Sequence, residues 1–283
     1  MMFRCWIENE YRNKLELTNN PDYRVYQIDG LEPPQATINT SAVANFDGSR
    51  FNSSRTNERN IVIYLAIEGD CEANRINLYR FARAKKFIRF YYQNGSRDVY
   101  IDGYVESISI GFFDMKQAVQ ISIICPYPFF KSNNETILDF TSVEPLFIFP
   151  FAYEAAGAPF SVLQTGAMQS LINGGDVENG LKIIIKATGQ ALNPRVLNVT
   201  TNEFFKINIE MTEGDQLTIN TNKGQKSLTL FHDGTETNVI NDMEVGSTWF
   251  QLYTGDNVFS YDADEFPENI LCTFQHTNEF EGV

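Results

Sequence analysis

The feature that most constrains this chain is the even spacing of strand-length apolar segments in its second half. From residue 181 they recur about every 8 to 12 residues, separated by turns such as Asn222-Lys223-Gly224 and Asp233-Gly234. No helical periodicity longer than two turns interrupts them, and this pattern predicts an antiparallel β-sandwich of the jelly-roll type. The predicted strands are 181–187, 196–200, 204–211, 216–220, 227–231, 249–253 and 270–274.

The first half is predicted to be β-rich with one helix. The continuous apolar run at 61–67, IVIYLAI, has strand length and is typical of a strand covered on both faces. A helix is expected at 74–86, after Gly69-Asp70, with one apolar sector formed by Leu78, Phe81, Ala82 and Tyr79. Further strands are predicted at 23–29, 37–40, 87–93, 98–110 and 119–125, with a hairpin turn at Asn94-Gly95 and a bulge near Gly103.

Charge divides the chain into two parts. Residues 1–131 carry 16 Lys and Arg against 15 Asp and Glu, whereas residues 132–283 carry 6 against 21. The polar run at 132–135 is the predicted boundary, which gives a β-barrel-like domain at 1–131 and a jelly-roll domain at 132–283. The acidic half should repel nucleic acid, membranes and copies of itself, so we expect it to project into solvent.

Several classes of protein are disfavoured. The longest apolar run, at 145–153, is far shorter than the roughly 20 residues of a membrane span, so no membrane insertion is expected. The amino terminus lacks the apolar core of a secretory signal, which favours synthesis and retention in the cytosol or export without a signal. Four widely spaced cysteines and two histidines do not fit a zinc site; we expect reduced thiols, mostly buried, and no metal or cofactor.

Catalytic alternatives are weak. His232 lies in FHDG, which is a better turn than part of a catalytic triad, and TNKGQKS lacks phosphate-loop spacing. Carboxylates at Asp262, Asp264, Glu265 and Glu268 could suggest a glycosidase or a calcium site, but a run this dense is predicted to be a solvated loop. No catalytic residue is assigned, and we expect no enzymatic activity.

Two clusters remain as candidate contact sites. Six cations and no acid fall within residues 75–89, spread around the helix rather than in one stripe, so a nucleic-acid groove is not specified. Such cations are either solvated or paired with the carboxylates of a neighbouring subunit. In the second half, Trp249 and Tyr253 could stack on sugars, although apolar residues at strand spacing are usually core.

Several strings together resemble the distal tail proteins of long-tailed bacteriophages. None is diagnostic alone, but their order and spacing cover nearly the whole chain. In the first half they are Asn52-Ser53-Ser54-Arg55, Arg59-Asn60-Ile61-Val62-Ile63, Tyr100-Ile101-Asp102-Gly103-Tyr104-Val105 and Cys125-Pro126-Tyr127-Pro128-Phe129-Phe130; in the second they include Phe147-Ile148-Phe149-Pro150-Phe151, Asn173-Gly174-Gly175-Asp176, Asn193-Pro194-Arg195, Gly214-Asp215-Gln216-Leu217, Ser247-Thr248-Trp249-Phe250 and Gly255-Asp256-Asn257.

The resemblance implies a structural protein of the virion, made in the host cytoplasm. Its first domain would form a six-membered ring that continues the tail tube, and its jelly roll would project outward. Implied partners are further copies of itself, the tail tube protein, a tail-associated lysin or tail fibre hub protein and a receptor-binding protein. Genome DNA would pass through the lumen without sequence-specific binding. The alternative is a carbohydrate-binding adhesion protein of the baseplate, with Trp249 and Tyr253 as weak glycan contacts.

A closed ring needs a heterologous interface, and strand edges of the first domain are candidates for it. The hairpin 87–110 and the basic helix are the predicted place of this contact. The predicted interface residues are Ile101, Val105, Arg83, Lys86 and Arg89.

Overall fold

The computed structural model describes residues 3–42, 44, 47–112, 117–140, 143–145, 161–163 and 168–283. The chain forms two compact units: Met1–Asn134 together with Glu279–Val283, and Glu135–Asn278. The sequence placed the division three residues earlier and did not indicate that the last residues return to the first unit. The FIFPF string at 147–151 lies outside the described residues, as does all of the 145–153 run after residue 145.

An open antiparallel sheet forms most of the first unit. Its strands follow the order β2-β1-β7-β8-β9-β6-β3. Strand β9 pairs with the carboxyl-terminal half of β8, and β10 pairs with its amino-terminal half. Apolar side chains alternate along the strands, and those on one face form a single buried cluster that includes Ile63, Phe90 and Ile121. The strands are β1 (Arg4–Asn9), β2 (Lys14–Glu16), β3 (Tyr23–Asp29), β4 (Ala36–Ala42), β5 (Ser49–Thr56), β6 (Arg59–Ile67), β7 (Phe87–Gln93), β8 (Asp98–Ile110), β9 (Ala118–Cys125) and β10 (Phe130–Asp139).

The described residues contain one α-helix, α1 (Cys71–Phe81). It begins three residues earlier than predicted because the Asp70 carboxylate accepts a hydrogen bond from the Ala73 amide, 3.1 Å away, and caps the first turn. It ends at Phe81, five residues earlier than predicted, and the chain turns through Lys85 at a φ of 68°. Leu78 is buried against the sheet. Among the described residues, no helix has the length and apolar character needed to cross a membrane.

The bulge predicted near Gly103 lies two residues further along β8. The β8–β9 pairing shifts register between Val105 and Ser107, whereas Gly103 stays in register with Ile88 on β7. Gly103 is required for another reason: a Cβ there would lie 2.6 Å from Cγ2 of Ile123 and 2.9 Å from Sγ of Cys125. The glycine therefore allows close packing against β9.

The second unit is an antiparallel sandwich. One sheet has the order β22-β14-β18-β19-β20, and the other has β13-β21-β15-β16, with β17 also paired to β15. Both sheets contribute to one buried cluster, for example Ile185 from β14 and Phe259 from β21. The strands are β11 (Val143–Pro145), β12 (Ser161–Leu163), β13 (Gln169–Asn173), β14 (Lys182–Ala187), β15 (Ala191–Asn198), β16 (Glu203–Lys206), β17 (Glu210–Met211), β18 (Gln216–Asn220), β19 (Ser227–His232), β20 (Thr235–Asn238), β21 (Gly255–Glu265) and β22 (Ile270–Phe280).

The mainly β fold class predicted from the sequence is confirmed, with three local corrections in the second unit. The segment predicted as one strand at 204–211 is split into β16 and β17. Residues 249–253 are not a strand; they contain a single bridge, between Leu252 and Asn179. The segment 255–265 is the long strand β21, although no strand was predicted there and its end, from Asp262, was predicted to be a solvated loop.

One buried arginine joins three distant parts of the first unit. Arg59, the first residue of β6, is 3% exposed. Its Nε donates to the Pro128 carbonyl at 2.6 Å, Nη1 to those of Gly30 and Glu32 at 2.6 and 2.7 Å, and Nη2 to that of Glu281 at 2.5 Å. Burial lowers the pKa of Arg59 from its ordinary value. The guanidinium remains positive and satisfies four main-chain acceptors at once.

We expect Arg59→Met to destabilise the first unit strongly, because four carbonyls lose their donor. At about 1–3 kcal/mol for each acceptor left buried and unpaired, the free energy of unfolding should fall by at least about 3 kcal/mol. Urea denaturation measures it. Arg24→Met is the control: Arg24 is exposed and forms a surface ion pair with Glu68 at 3.4 Å, so a loss below about 1 kcal/mol is expected. Equal losses in both variants would contradict the role of Arg59.

Candidate subunit interface

The two strands β4 and β5 form an arm that pairs with no other described strand. All eight residues of β5 are exposed, as are all residues of β4 except Thr37. The arm starts where the Asn57 amide donates to the Gln35 carbonyl at 2.9 Å, next to Arg59. An isolated two-stranded hairpin is only marginally stable in water, so this arm is a segment that would gain stability from a partner surface.

The two faces of the arm differ. The register places Ile38 and Phe51 on one face, since Phe51 lies opposite Thr40, and these side chains are 56% and 60% exposed. The other face is polar: Asn39 Nδ2 donates to Ser53 Oγ at 3.0 Å, and Thr37 Oγ1 donates to Asn57 Oδ1 at 2.8 Å. The arm therefore offers an apolar face to a partner while its other face is hydrogen-bonded within itself.

Two of the predicted interface residues lie in the core. Ile101 and Val105 are each 2% exposed and belong to the buried cluster of the first unit. Their side chains alternate with those of Tyr100, Asp102 and Tyr104, which point to the other face of the sheet. Neither Ile101 nor Val105 can contact a neighbouring subunit, because the apolar face of β8 is used for folding.

The predicted cations have different environments. Arg89 pairs with Asp102 on the adjacent strand through two hydrogen bonds, of 2.5 and 3.0 Å, and lies 4.2 Å from the ring centre of Tyr100. This carboxylate raises the pKa of Arg89. Lys86 pairs with Glu10 at 3.3 Å. Arg83 is exposed and has no ion-pair partner among the described residues, so it remains available for a contact.

The two predicted glycan contacts are not equivalent. The Trp249 ring packs edge-on against Phe205 at 4.9 Å, and the Lys226 ammonium lies 5.7 Å from its centre. Tyr253 is 44% exposed. Trp249 is thus mainly a packing residue, and an aromatic platform would depend on Tyr253.

The prediction of a solvated loop is wrong for most of the acidic cluster. Asp262, Asp264 and Glu265 lie on β21. Asp262 pairs with Arg195 at 3.0 Å, and Asp264 pairs with Lys206 at 2.9 Å, which lowers the pKa of Asp264. These cross-strand pairs use the carboxylates that a calcium site would need. Among the described residues, no group of His, Cys, Asp or Glu is placed to hold a metal ion.

The pKa values of the two histidines are shifted in opposite directions. His232 Nδ1 lies 2.6 Å from Oδ1 of the buried Asp215, and this hydrogen bond raises the pKa of His232. Burial opposes ionisation of Asp215, but hydrogen bonds from Thr212 and His232 outweigh it, so the pKa of Asp215 is lowered. His276 is 3% exposed, and burial lowers its pKa.

Comparison with known proteins identifies the class of the second unit. Residues 174–280 match the family model described as siphovirus-type tail component, C-terminal domain. The second unit is therefore similar to the C-terminal domain of that family of phage tail components.

The fold of the whole chain is found in solved structures of phage tail proteins. It is similar to the crystal structure of the SPP1 Dit protein, with a TM-score of 0.70 and 13% identity over 99% of this chain and 100% of that chain. It is also similar to a chain of the phage P2 baseplate in its activated conformation with Ca, with a TM-score of 0.51 and 12% identity, each chain being fully covered. No curated protein sequence matches the chain. The resemblance to phage distal tail proteins is confirmed.

The sequence predicted the centre of β4, at 37–40, but missed β5 and the role of Arg59. Strand β5, SRFNSSRT, contains one apolar residue and lacks the alternation that marks a half-buried strand. Arg59 carried one signal that could have found it: it is a charged residue two positions before the buried strand run 61–67.

We expect Ile101→Asp to unfold the first unit rather than to release an otherwise folded monomer. A carboxylate would enter a buried apolar cluster without a partner, at a cost of several kcal/mol. Circular dichroism and limited proteolysis of the purified variant measure this. The control is Tyr104→Asp, on the exposed face of the same strand, where Tyr104 is 50% exposed and the fold should persist. A folded Ile101→Asp protein would show that the side chain is not in the core.

The histidine environments predict two opposite shifts in an NMR titration. The pKa of His232 should lie above the ordinary 6.5 and that of His276 below it. The His232 contribution to stability is present below about pH 6.5 and is lost as the pH rises through its raised pKa; the His276 contribution is present above about pH 6.5 and is lost as the pH falls. Asp215→Asn should lower the pKa of His232 and leave that of His276 unchanged. Shifts of the same sign for both histidines would contradict these assignments.

Proposed function

We propose that this chain is a structural distal tail protein of a phage virion, whose first unit assembles as a ring of six copies. The ring would join the tail tube to the tail tip or baseplate. The second unit would project outward and serve as a hub for host-adhesion components. The family match of the second unit and the fold of the whole chain support the tail-component role.

The observation that carries the ring proposal is the β4–β5 arm. It has an exposed apolar face at Ile38 and Phe51, and no described strand extends its two-stranded sheet. A ring requires each copy to present one surface and receive a different one. An arm that leaves its own unit unpartnered can supply the first of these surfaces, and the neighbouring copy would supply the second.

The remaining parts of the proposal follow from charge and from the relatives. The second half carries a net charge of −15, which disfavours contact between the second units of neighbouring copies. The SPP1 Dit structure is described as a paradigm of the hub adsorption apparatus in phages that infect Gram-positive bacteria. By analogy, we propose partners in the tail tube protein, a tail-associated lysin or fibre hub protein and a receptor-binding protein, and a structural rather than enzymatic role.

The test is whether the purified chain forms rings through the arm. We expect negative-stain microscopy and light scattering to show a hollow ring for the wild-type protein. Ile38→Asp combined with Phe51→Asp should leave the protein folded and abolish the ring, because two carboxylates would replace the apolar contact.

The matched control places the same two charges on the other face of the arm, as Asn39→Asp with Ser41→Asp. This control should retain the ring. A wild-type chain that stays monomeric at high concentration and with the other tail-tip proteins would refute the proposal. Retention of the ring by the Ile38 and Phe51 variant would refute the role of the arm.

A further inference from the structure

A basic pocket lies beside the end of α1 in the first unit. The cavity has a volume of about 200 Å³ and is lined by Arg80, Arg83 and Lys86 together with Glu10 and aromatic side chains. Glu10 pairs with Lys86 at 3.3 Å. Arg80 and Arg83 are exposed and have no carboxylate within ion-pair distance among the described residues. The pocket therefore carries two uncompensated positive charges.

An acidic pocket lies at the base of the arm. This cavity has a volume of about 280 Å³ and is lined by Glu32 and Glu58, with Pro33, Pro34 and Arg59. Both glutamates are exposed, and neither has an ion-pair partner among the residues that the structure describes. Arg59 also lines this cavity and its positive charge acts on Glu32, but its guanidinium nitrogens donate to four main-chain carbonyls and form no ion pair with either glutamate.

The two pockets lie at different places on one sheet. Phe87 on β7 lines the basic pocket, and Asn60 on β6 lines the acidic pocket. Strands β8 and β9 lie between them: Phe87 pairs with Tyr104, Tyr104 with Ile124, and Ile124 with Asn60. Three strand spacings separate these residues, about 14 Å along the sheet. One copy cannot therefore bring its basic pocket onto its own acidic pocket, and a second copy can.

We propose that the basic pocket of one copy contacts the acidic pocket of the next copy in the ring. This inference rests on the proposed ring and names its electrostatic contact. Complementary surfaces at separate positions on one subunit are what a heterologous interface requires. The acidic pocket adjoins the arm at Gln35 and Asn57, so this contact and the arm contact would form one continuous interface.

A second copy fits the basic pocket better than a nucleic acid does. Glu10 lies within the pocket and would repel a phosphodiester backbone. The cations also do not form a stripe, since α1 ends at Phe81 and the chain turns before Lys86. Carboxylate side chains of a neighbouring copy can enter such a cavity singly and pair with Arg80 and Arg83.

The test is a charge exchange between two variants. Variant one is Arg80→Glu with Arg83→Glu, and variant two is Glu32→Arg with Glu58→Arg. Alone, each variant would place like charges at every contact, so each should lose the ring in light scattering and microscopy. Mixed in equal amounts, they should recover a ring of alternating variants, because opposite charges then meet at each contact of a ring with an even number of copies.

The controls separate position from net charge. Lys182→Glu with Lys186→Glu, and Glu213→Arg with Glu236→Arg, make the same charge changes at exposed positions of the second unit; both should keep the ring. If a reversal variant fails to fold by circular dichroism, the neutral pair Arg80→Gln with Arg83→Gln replaces it and should weaken the ring.

Each outcome decides the proposal. Rings in the single variants, no recovery on mixing, or ring loss in the controls would overturn the contact while leaving the ring itself intact in the wild type. Absence of a ring in the wild type would instead refute the proposed function.

Discussion

The first unit depends on one guanidinium that serves four main-chain carbonyls. Arg59 holds the link after β3, the link before β10 and the returning end of the chain at Glu281. These segments have no regular strand pairing of their own at that point, so Arg59 supplies the donors that their carbonyls would otherwise lack. The arm begins at Gln35 and ends at Asn57, next to this cluster, so Arg59 fixes the segments from which the arm emerges.

Hydrophobic periodicity predicted the parts of the fold that bury their own apolar surface. The strands at 23–29, 87–93, 98–110 and 216–220 agree with β3, β7, β8 and β18 to the residue. The arm could not be predicted in this way, since β5 buries nothing within its own chain. Residues 249–253 show the converse error, a predicted strand that does not form. Phe250 and Leu252 are buried, but the backbone there is irregular apart from one bridge.

The candidate interface was harder to predict than the fold for a related reason. Ile101 and Val105 were predicted to be contact residues because they lie in the hairpin 87–110, the predicted place of a strand-edge contact. Their side chains are instead buried in the core of the first unit. The groups left exposed for a partner stabilise a contact only if the surface of that partner complements them. A single sequence contains that information only as unpaired charge, such as the cations at Arg80 and Arg83 that no nearby acid offsets.

The unequal charge of the two halves limits how copies of this chain can associate. Residues 132–283 carry 15 more negative than positive charges in every copy, so bringing several copies together concentrates repulsion among the second units. Attraction must then come from the first units, which are nearly neutral and can meet without that cost. A nearly neutral surface can still be directional, because it carries opposite charges in two separate pockets whose lining strand residues lie about 14 Å apart. Since a copy cannot pair its own two pockets, each pocket can instead meet a different neighbour, as the heterologous contacts of a closed ring require.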